Sequence, residues 1–503
     1  MLVQMEGKHP LILSSVISPE DYKGKEEVVV RSCSPVATED FEAGLFVCLN
    51  EDAARAREEV AVAMVNGAVA AVLTRGVLTT EEIAADARLF EVSDPRDTWG
   101  RVCEALLDYP SKKMKMIAVT GTAGKTSLSY TIAGMLAESG SHVGLLGSLG
   151  TYDGRMLCPE TEQATTPESL AKALARMVDN GCDYAIVEVS SVALDQNRLA
   201  GLKFDAVCLT NIRRDHLDYH HTVDAYRRAK LRIFDYTSEK TLVVCNTDDR
   251  VTDAILHLIS CPTITVGMHP TDSLVSGMLI EQNDGGQTFY IVAGIDAVPV
   301  HTRMIGKEHL YNCLLAAALG MSLGIDLKTI VPGIERVEHV PGRLEQLDCG
   351  QPYNVFVDNA ATPDSLEASL EAVKAVTTGR LFCLLETHSA EDSSKGISFA
   401  RVADEYADAI VLTTANLQPE ATDKEYAAIR KSLGSSSREF QFIARRKDAM
   451  NWVLSEARPD DSVLIIGSDS PGLSDSNGAS VSDRQYVRAW LYENQPCMEP
   501  FWF

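Results

Sequence analysis

The sequence predicts an α/β protein of three domains, with a central P-loop-type domain and a C-terminal Rossmann-like domain that are each built on a parallel sheet. The chain has 503 residues, which is more than one hydrophobic core normally sustains. From Met116 onward, apolar runs of strand length alternate with helical stretches, as in sheets whose strands are joined by crossover helices. Clusters of proline, glycine and lysine divide the chain into residues 1–112, 113–338 and 339–503.

Composition and charge restrict the class of protein. Apolar residues make up 45% and charged residues 23% of the chain, as in ordinary globular proteins. The formal net charge of −25 argues against nucleic-acid binding, which needs clustered lysine and arginine, but allows a small anionic ligand. The 12 cysteines are scattered without a CxxC pair, as expected in a reducing compartment. No run approaches the roughly 20 apolar residues of a membrane helix, and no signal-peptide pattern is seen, so we expect a cytoplasmic protein without membrane insertion.

The N-terminal domain is predicted to be a small α/β unit. Strand-like runs at Val28–Val30 and Leu45–Val47 precede a helical stretch, Asp52–Asn66, and a further strand, Ala68–Thr74. The lysine cluster that follows Pro110 marks its boundary.

The central domain is predicted to be a parallel sheet with crossover helices. Its predicted strands are Met116–Thr120, Val143–Leu146, Tyr184–Val189, Ala206–Leu209 and Leu242–Cys245, and its predicted helices are Ser127–Ser139, Pro167–Asn180 and His309–Leu323.

A second alternation, after Val340-Pro341-Gly342, predicts an independent doubly wound domain. Its predicted strands are Asn354–Val357, Leu381–Leu385, Ile410–Thr413, Phe440–Ile443 and Val463–Ile466, and its predicted helices are Asp364–Val376, Phe399–Ala407, Ala427–Leu433 and Asp448–Ala457.

The sharpest functional signal is a phosphate-binding loop that joins the strand Met116–Thr120 to the following helix. Its residues are Gly121, Thr122, Ala123, Gly124, Lys125, Thr126 and Ser127. Glycines let backbone N–H groups surround phosphate oxygens, and the helix N-terminus adds a favourable dipole. Lys125 can reach the outer phosphates of a nucleotide, and the Thr126 hydroxyl can ligate Mg²⁺. Val119 stands where the general P-loop pattern has its first glycine, so this loop is a variant.

A second polar cluster follows two of the neighbouring strands. Glu188 comes near the end of one predicted strand, and Asp215, His216, Asp218 and His220 follow another. A carboxylate at the carboxyl end of a strand, close to a phosphate loop, is where the metal of a nucleotide is usually held. His216 can add a nitrogen ligand, with the aspartates behind it.

Four segments of the chain resemble the Mur ligase superfamily. They are GTAGKTS at Gly121–Ser127, EVSSVALDQNR at Glu188–Arg198, TNIRRDHLDYH at Thr210–His220 and AYRRAKLRIF at Ala225–Phe234. The similarity spans about residues 41–483 and is densest between residues 116 and 345. It is closest to the members that add the third residue of the muramyl peptide.

The resemblance implies a site for ATP, Mg²⁺ and a UDP-muramyl substrate. The implied ATP-binding residues are Gly121 to Ser127, Asn312 and Arg343. The implied ligands of two Mg²⁺ ions are Thr126, Glu188, His216 and Lys230, the last as a carbamate formed with CO₂. The implied catalytic residues are Lys125, Glu188, His216, Lys230 and Lys395. The implied substrate-binding residues are Ser34, Thr165, Thr166, Ser190, Gln196 and Arg198.

The reaction that the resemblance implies joins a free amino acid to UDP-N-acetylmuramoyl-L-alanyl-D-glutamate through an acyl phosphate, in peptidoglycan precursor synthesis. We expect a monomer whose Lys125 and Mg²⁺ ions neutralise the charge of the phosphoryl group. Two alternatives stay open. One is a folate-type glutamate ligase, against which the TTP and ALDQNR segments count. The other is a nucleotide-binding paralogue without ligase activity.

The third domain departs from the family where the incoming amino acid is selected. The family's DYAHTPD reads DNAATPD from Asp358, and its GGDRDRGK reads HSAEDSSK, which keeps Lys395. Its DNPR reads ANLQ, so that Gln418 replaces an arginine that grips the distal carboxylate of diaminopimelate. Diaminopimelate is therefore not predicted, and lysine or another amino acid is open. Near Asn312, His309 replaces an asparagine that is usual in the family.

Overall fold

The computed structural model describes residues 5–18, 20–22, 27–158, 166–269, 273–387, 393–414, 419–434, 438–467, 473–474 and 480–494. Its strands form sheets of five, eleven and six strands and a two-stranded ribbon. Helices cover these sheets, so the predicted α/β class is confirmed. We call the elements of the three large sheets the first, central and third units. None of the helices in the described part combines the length and apolar character needed to cross a membrane.

The first unit has the strand order β1-β2-β3-β4-β5, in which β1 pairs antiparallel with β2 and the remaining neighbours are parallel. Its strands are Met5–Ile12 (β1), Val29–Ser34 (β2), Gly44–Val47 (β3), Ala68–Thr74 (β4) and Leu89–Val92 (β5), and its helices are Ala53–Val65 (α1), Thr80–Ala85 (α2) and Pro95–Leu106 (α3). α1 begins after Asp52, whose carboxylate accepts a hydrogen bond from the Arg55 N–H at 2.9 Å.

The central unit is an eleven-stranded sheet with the order β16-β15-β14-β13-β12-β11-β6-β10-β7-β8-β9. Its strands are Lys115–Thr120 (β6), Val143–Gly147 (β7), Gly150–Tyr152 (β8), Leu157–Cys158 (β9), Tyr184–Val189 (β10), Ala206–Leu209 (β11), Leu242–Asn246 (β12), Thr263–Gly267 (β13), Val275–Asn283 (β14), Gly286–Ala293 (β15) and Asp296–Thr302 (β16). Its helices are Lys125–Glu138 (α4), Pro167–Asp179 (α5), Ser191–Asp195 (α6), Leu217–His220 (α7), Val223–Leu231 (α8), Arg250–Ile255 (α9), Lys307–Ser322 (α10) and Leu327–Glu335 (α11). Short 3₁₀ turns lie at Leu13–Ser15, Pro110–Lys113, Arg232–Tyr236 and Leu256–Leu258.

The five strands predicted for the central unit are all present, but the prediction of a parallel sheet is incomplete. β6 lies between β11 and β10 and runs parallel to both. The β7-β8-β9 and β14-β15-β16 segments are antiparallel additions at the two edges. The Asp284-Gly285 turn between β14 and β15 is a strong hairpin signal that the sequence analysis overlooked.

The helices behind the phosphate loop pack at glycines. An ideal Cβ at Gly134 of α4 would lie 2.8 Å from the Gly333 carbonyl oxygen of α11. One at Gly320 of α10 would lie 2.3 Å from the Met135 sulfur of α4. Any larger side chain would force these helices apart. The close packing fixes the position of α4, whose N-terminus faces the loop.

The third unit has the strand order β17-β18-β22-β19-β20-β21, in which only the β17–β18 pair of the described sheet is antiparallel. Its strands are Glu345–Gln346 (β17), Asn354–Asp358 (β18), Leu381–Thr387 (β19), Ala409–Thr414 (β20), Glu439–Arg445 (β21), Ser462–Ile466 (β22), Leu473–Ser474 (β23) and Ser480–Val481 (β24). Its helices are Pro363–Val376 (α12), Ser393–Tyr406 (α13), Pro419–Leu433 (α14), Arg446–Glu456 (α15) and Asp483–Glu493 (α16). All the strands and helices predicted here are found, but α13 begins six residues and α14 eight residues before the predicted start.

Candidate active site at the phosphate loop

The phosphate loop turns between β6 and α4 in a backbone conformation that requires glycine. Gly121 has φ +148° and Gly124 has φ +86°. An ideal Cβ at Gly121 would lie 1.8 Å from Thr210 Oγ1, and one at Gly124 would lie 2.9 Å from Asn312 Oδ1. Glycine is therefore required at both positions of the loop, by the backbone conformation and by the close approach of Thr210 and Asn312.

Asn211 and Thr210, which follow β11, hold the loop from the side. The Thr122 N–H donates to the Asn211 carbonyl at 2.9 Å, and the Ala123 N–H donates to Asn211 Oδ1 at 3.0 Å. Thr210 Oγ1 donates to the Ala123 carbonyl at 2.7 Å. The sequence analysis did not assign these roles to the Thr-Asn pair, because they depend on β11 lying beside β6.

Lys125 folds back over the loop that precedes it. Its Nζ donates to the Gly121 carbonyl at 3.0 Å and to the Thr122 carbonyl at 2.9 Å. Burial lowers the pKa of Lys125, while Glu188 and Asp215 oppose that shift. The amino group of Lys125 thus lies against the backbone of the phosphate loop.

Thr126 and Glu188 meet where α4 begins and β10 nears its carboxyl end. Thr126 Oγ1 donates to Glu188 Oε2 at 3.0 Å, and it lies 2.8 Å from Ser148 Oγ. Glu188 Oε1 is buried and has no hydrogen-bond partner among the described residues. Burial raises the pKa of Glu188, against the effect of Arg343 and Lys125. An unpartnered carboxylate oxygen beside a hydroxyl is a set of hard oxygen donors, which suits Mg²⁺.

Arg343 reaches this corner from the segment between α11 and β17. Its Nη2 donates to Ser148 Oγ at 3.0 Å and lies 3.5 Å from Thr126 Oγ1. In the amide orientation that satisfies both of its contacts, Asn359 accepts from Arg343 Nη1 at 3.3 Å and donates to the Gly467 carbonyl at 3.1 Å. Arg343 therefore links the phosphate-loop corner to the third unit.

Lys230 is buried behind the loop, with 2% of its surface exposed. Its Nζ donates to the Gly121 carbonyl at 2.7 Å and to Thr120 Oγ1 at 3.3 Å. Within the described residues it forms no ion pair with a carboxylate. Burial, reinforced by the charge of Lys125, holds the pKa of Lys230 well below its usual range. It is therefore not the solvent-facing lysine that an isolated helical residue would suggest.

His216 lies outside this corner of buried groups. It caps α7 with φ +49°, is exposed, and its Nε2 lies 3.6 Å from Asp215 Oδ2. In the described part of the chain, no three His, Cys, Asp or Glu side chains come together as a ready metal site. The metal set of Thr126, Glu188, His216 and Lys230 therefore stays a prediction.

Asn312, the implied nucleotide contact on α10, and His309, which replaces the family's asparagine, differ in their surroundings. Asn312 is buried against Gly124 of the phosphate loop. His309, one turn earlier, is buried with its Nε2 3.4 Å from Cys313 Sγ, and its Nδ1 has no hydrogen-bond partner in the described part of the chain. Burial lowers the pKa of His309 to about 4, so this imidazole is neutral.

Three of the implied substrate residues cap or end elements. Thr166 caps α5 and accepts from the Ser169 N–H at 3.1 Å, and Ser190 caps α6 and accepts from the Ala193 N–H at 3.1 Å. Ser34 is buried at the end of β2. Thr165 lies outside the described residues.

Gln196 and Arg198 form one hydrogen-bonded group beside α7. Arg198 Nε donates to Gln196 Oε1 at 2.9 Å, and Gln196 Nε2 donates to Tyr219 OH at 3.1 Å. Tyr219 OH donates in turn to Asp195 Oδ2 at 2.8 Å. Tyr219 and Asp195 line a cavity of about 470 Å³ next to this group. The structure thus brings together two residues predicted to bind one substrate.

The third unit carries Lys395 on α13, where it is exposed with Nζ 5.6 Å from the Phe399 ring centroid. Asp358 ends β18 and accepts from the Leu344 N–H at 2.9 Å and from Ser369 Oγ at 2.5 Å. Gln418 lies outside the described residues, so its predicted effect on amino-acid selection stays a prediction.

Comparison with known proteins gives the context of this site. Residues 119–320 match the family model of the Mur ligase middle domain, and residues 342–469 match that of the Mur ligase glutamate ligase domain. The UDP-N-acetylmuramoyl-L-alanyl-D-glutamate–2,6-diaminopimelate ligase of Bacillus cereus is 32% identical over 456 residues, or 88% of this chain and 90% of the relative. The ligase of the same name from Bacillus licheniformis is 32% identical over 469 residues, or 91% of this chain and 93% of the relative.

Solved structures share the fold. A UDP-N-acetylmuramoyl-L-alanyl-D-glutamate–2,6-diaminopimelate ligase superposes with a TM-score of 0.69 at 22% identity, covering 96% of this chain and 99% of that one. The MurF ligase from Thermotoga maritima in complex with ADP has a TM-score of 0.59 at 16% identity, covering 92% and 96%. These matches confirm the family resemblance and the predicted class of ATP-dependent ligase. With two family models that together span most of its length, the chain belongs to the Mur ligase family.

Proposed function

We propose that this protein ligates an amino acid to the terminal carboxylate of UDP-N-acetylmuramoyl-L-alanyl-D-glutamate, at the expense of ATP. The observation that carries the proposal is the buried Lys230 amine, which donates to the Gly121 carbonyl from behind the phosphate loop. Just after this loop, the Thr126 hydroxyl donates to Glu188 of β10. The names of the relatives from Bacillus cereus and Bacillus licheniformis support the choice of substrate.

ATP would be held by the loop from Gly121 to Ser127, with the N–H groups at the start of α4 and Lys125 on its phosphates and Asn312 behind the loop. Thr126 and Glu188 would hold one Mg²⁺, and His216 and a Lys230 carbamate would complete the sites for two ions. Mg²⁺ bound there neutralises phosphate oxygens. Arg343 adds a cation at the same corner, since its Nη2 is 3.5 Å from Thr126 Oγ1.

The low pKa of Lys230 supports its carbamylation. Only the neutral amine attacks CO₂, and burial beside Lys125 favours that neutral form. Nζ forms a bond to the CO₂ carbon and loses one proton, which leaves a monoanionic carbamate. Carbamylation thus converts an amine whose cationic form is costly to bury into an anion that can face Mg²⁺.

The reaction would proceed in two steps. A carboxylate oxygen of the D-glutamyl residue attacks the γ-phosphorus of ATP, the bond to ADP breaks, and an acyl phosphate forms. The amine of the incoming amino acid then attacks the acyl carbon, and inorganic phosphate leaves with the electron pair of the broken C–O bond. Closure of the third unit would bring Lys395 toward the phosphoryl group and exclude water, which hydrolyses acyl phosphates.

The test is to incubate the purified protein with UDP-MurNAc-L-Ala-D-Glu, MgATP and single amino acids that include diaminopimelate and lysine. We expect phosphate release and a tripeptide product with at least one of them. Because Gln418 replaces the clamp arginine, diaminopimelate need not be the best substrate. ATP binding without turnover on any amino acid would contradict the proposal and favour a nucleotide-binding paralogue.

A further inference from the structure

We propose that Asn197 is a positioning residue: its side-chain hydrogen bonds to Asp94 and Tyr236, here called the Asn197 latch, hold the Gln196–Arg198 pair in place relative to the first unit. The latch thereby fixes where the sugar-linked substrate binds. This inference rests on the proposed function, because it takes UDP-MurNAc-L-Ala-D-Glu as the ligand of that pair. No part of it depends on the third unit or on the nucleotide.

Asn197 joins two units through its side chain. Its Nδ2 donates to Asp94 Oδ2 of the first unit at 2.7 Å. Its Oδ1 accepts a short hydrogen bond from the Tyr236 hydroxyl of the central unit. The amide thus uses its donor on one side and its acceptor on the other, an arrangement that neither aspartate nor alanine reproduces.

The backbone at Asn197 also suits this residue. Its φ is +53°, in the left-handed region that asparagine tolerates better than other side chains with a Cβ. This turn directs Gln196 and Arg198 to the same side, where Arg198 Nε donates to Gln196 Oε1 at 2.9 Å. The side chain of Asn197 points instead to Asp94. Anchoring the middle residue therefore fixes the orientation of both neighbours.

The chain just after Arg198 is pressed against the first unit. An ideal Cβ at Gly100 of α3 would lie 2.2 Å from the Ala200 carbonyl oxygen. Gly201 has φ +86°, and its ideal Cβ would lie 3.0 Å from Gly100. The Asn197 latch therefore lies beside a direct contact between the backbones of the first and central units. We call this contact the joint, and its close packing restricts movement of one unit relative to the other.

A rigid joint between the first and central units favours binding of a long ligand that contacts both units. Ser34, which the family resemblance implies at the uridine end of the substrate, lies in the first unit, and Gln196 and Arg198 lie in the central unit. A substrate that contacts both ends binds best when the distance between them is fixed in advance, because ordering then costs less on binding. The latch supplies that fixed distance at the residue between the two central contacts.

The experiment measures binding of UDP-MurNAc-L-Ala-D-Glu and of an ATP analogue by calorimetry. Asn197→Asp sets two carboxylates against each other, and we expect its Kd for the UDP substrate to rise about tenfold. Asn197→Asp combined with Asp94→Asn restores a donor on residue 94 and an acceptor on residue 197, and should return the Kd to within about threefold of wild type. Asn283→Asp, at the last residue of β14, is the matched control: aspartate keeps the acceptor for the Gly285 N–H, and the Kd of the UDP substrate should not change.

The pattern of results separates the possibilities. Rescue by the exchanged pair, with an unchanged Kd for the ATP analogue and a similar melting temperature, supports a latch. Equal affinity in wild type and both Asn197→Asp and Asn197→Ala overturns it, as does equal loss in the single and the exchanged variants. If the wild type itself does not bind UDP-MurNAc-L-Ala-D-Glu, the proposed function fails instead.

Discussion

At the scale of single residues, burial distinguishes a lysine beside the phosphate loop from a lysine on the surface. Lys230 and Lys240 are both lysines of the central unit, but Lys230 is 2% exposed and lies against the Gly121 carbonyl, whereas Lys240 is exposed. The family resemblance singled out Lys230, but its burial could not be predicted, because the sequence does not show which face of α8 is covered.

Lys230→Ala should lose nearly all ligase activity and regain part of it with added acetate or formate, because a small carboxylate can occupy the space of the carbamate. Ligation rate against carboxylate concentration is the measurement, and Lys240→Ala is the control, with wild-type rates expected. A Lys230→Ala enzyme that works normally without carboxylate would contradict the carbamate role.

His309 should make the protein less stable in acid. Its folded pKa of about 4 lies below the ordinary value of 6.5, so the unfolded state takes up a proton first as the pH falls. Stability conferred by the neutral imidazole is therefore complete above pH 6.5 and is lost between pH 6.5 and 4, by about 3 kcal/mol in all.

His309→Asn should flatten this part of the pH dependence. Urea unfolding at pH 7, 5.5 and 4.5 measures it, with exposed His257→Asn as the control that keeps the wild-type slope. If His309→Asn and wild type lose stability in parallel as the pH falls, the buried neutral state of His309 is wrong.

At the scale of elements, the phosphate loop depends on glycines whose surroundings differ from those of an ordinary helix end. Gly121 has φ +148° and no room for a Cβ beside Thr210, whereas Gly140, at the end of α4, has φ +85° and open space around it. Both positions favour glycine, but only the first is also crowded.

Gly121→Ala should abolish nucleotide binding, since a Cβ there would displace Thr210 or the loop. Gly140→Ala should cost about 1 kcal/mol of stability from its left-handed backbone and leave nucleotide affinity unchanged. Titration with a fluorescent ADP analogue, alongside thermal melting, compares the two. Retention of affinity in Gly121→Ala would refute the close approach of Thr210.

The elements that sequence patterns could predict are those with a local cause. β6, the loop and α4 follow from an apolar run and a glycine-flanked Gly124-Lys125-Thr126. Proximity of Thr126 and Glu188 could be expected, because Thr126 begins the helix after β6 and Glu188 lies near the carboxyl end of β10. The roles of Asn211 and Asn197 could not be predicted, because their partners Ala123 and Asp94 are 88 and 103 residues away.

At the scale of the whole molecule, Arg343 links the phosphate-loop corner to the third unit. Its two amino groups face Ser148 on one side and Asn359 on the other. A lysine has one amino group and cannot bridge both. A second contact between the central and third units is made by Gln282 of β14, whose Nε2 donates to the Ala372 carbonyl of α12 at 3.2 Å.

Arg343→Lys should therefore raise the KM for ATP by about tenfold, as expected for loss of a charge-assisted contact. It should also increase the radius of gyration of the nucleotide-free protein in solution scattering, because the contact between the central and third units is loosened. Arg336→Lys, whose exposed side chain pairs with Glu138 on the surface, serves as the control. An unchanged KM in Arg343→Lys would show that the bridge has no part in nucleotide binding.

The central claim is that the central unit transfers the γ-phosphoryl group of ATP to a carboxylate of a sugar-linked substrate. The most direct measurement uses UDP-MurNAc-L-Ala-D-Glu labelled with ¹⁸O in that carboxylate, with MgATP and the preferred amino acid, and analyses the released phosphate by mass spectrometry. An acyl phosphate predicts one ¹⁸O atom in each phosphate formed with product. Unlabelled phosphate, or AMP as the nucleotide product, would contradict the account.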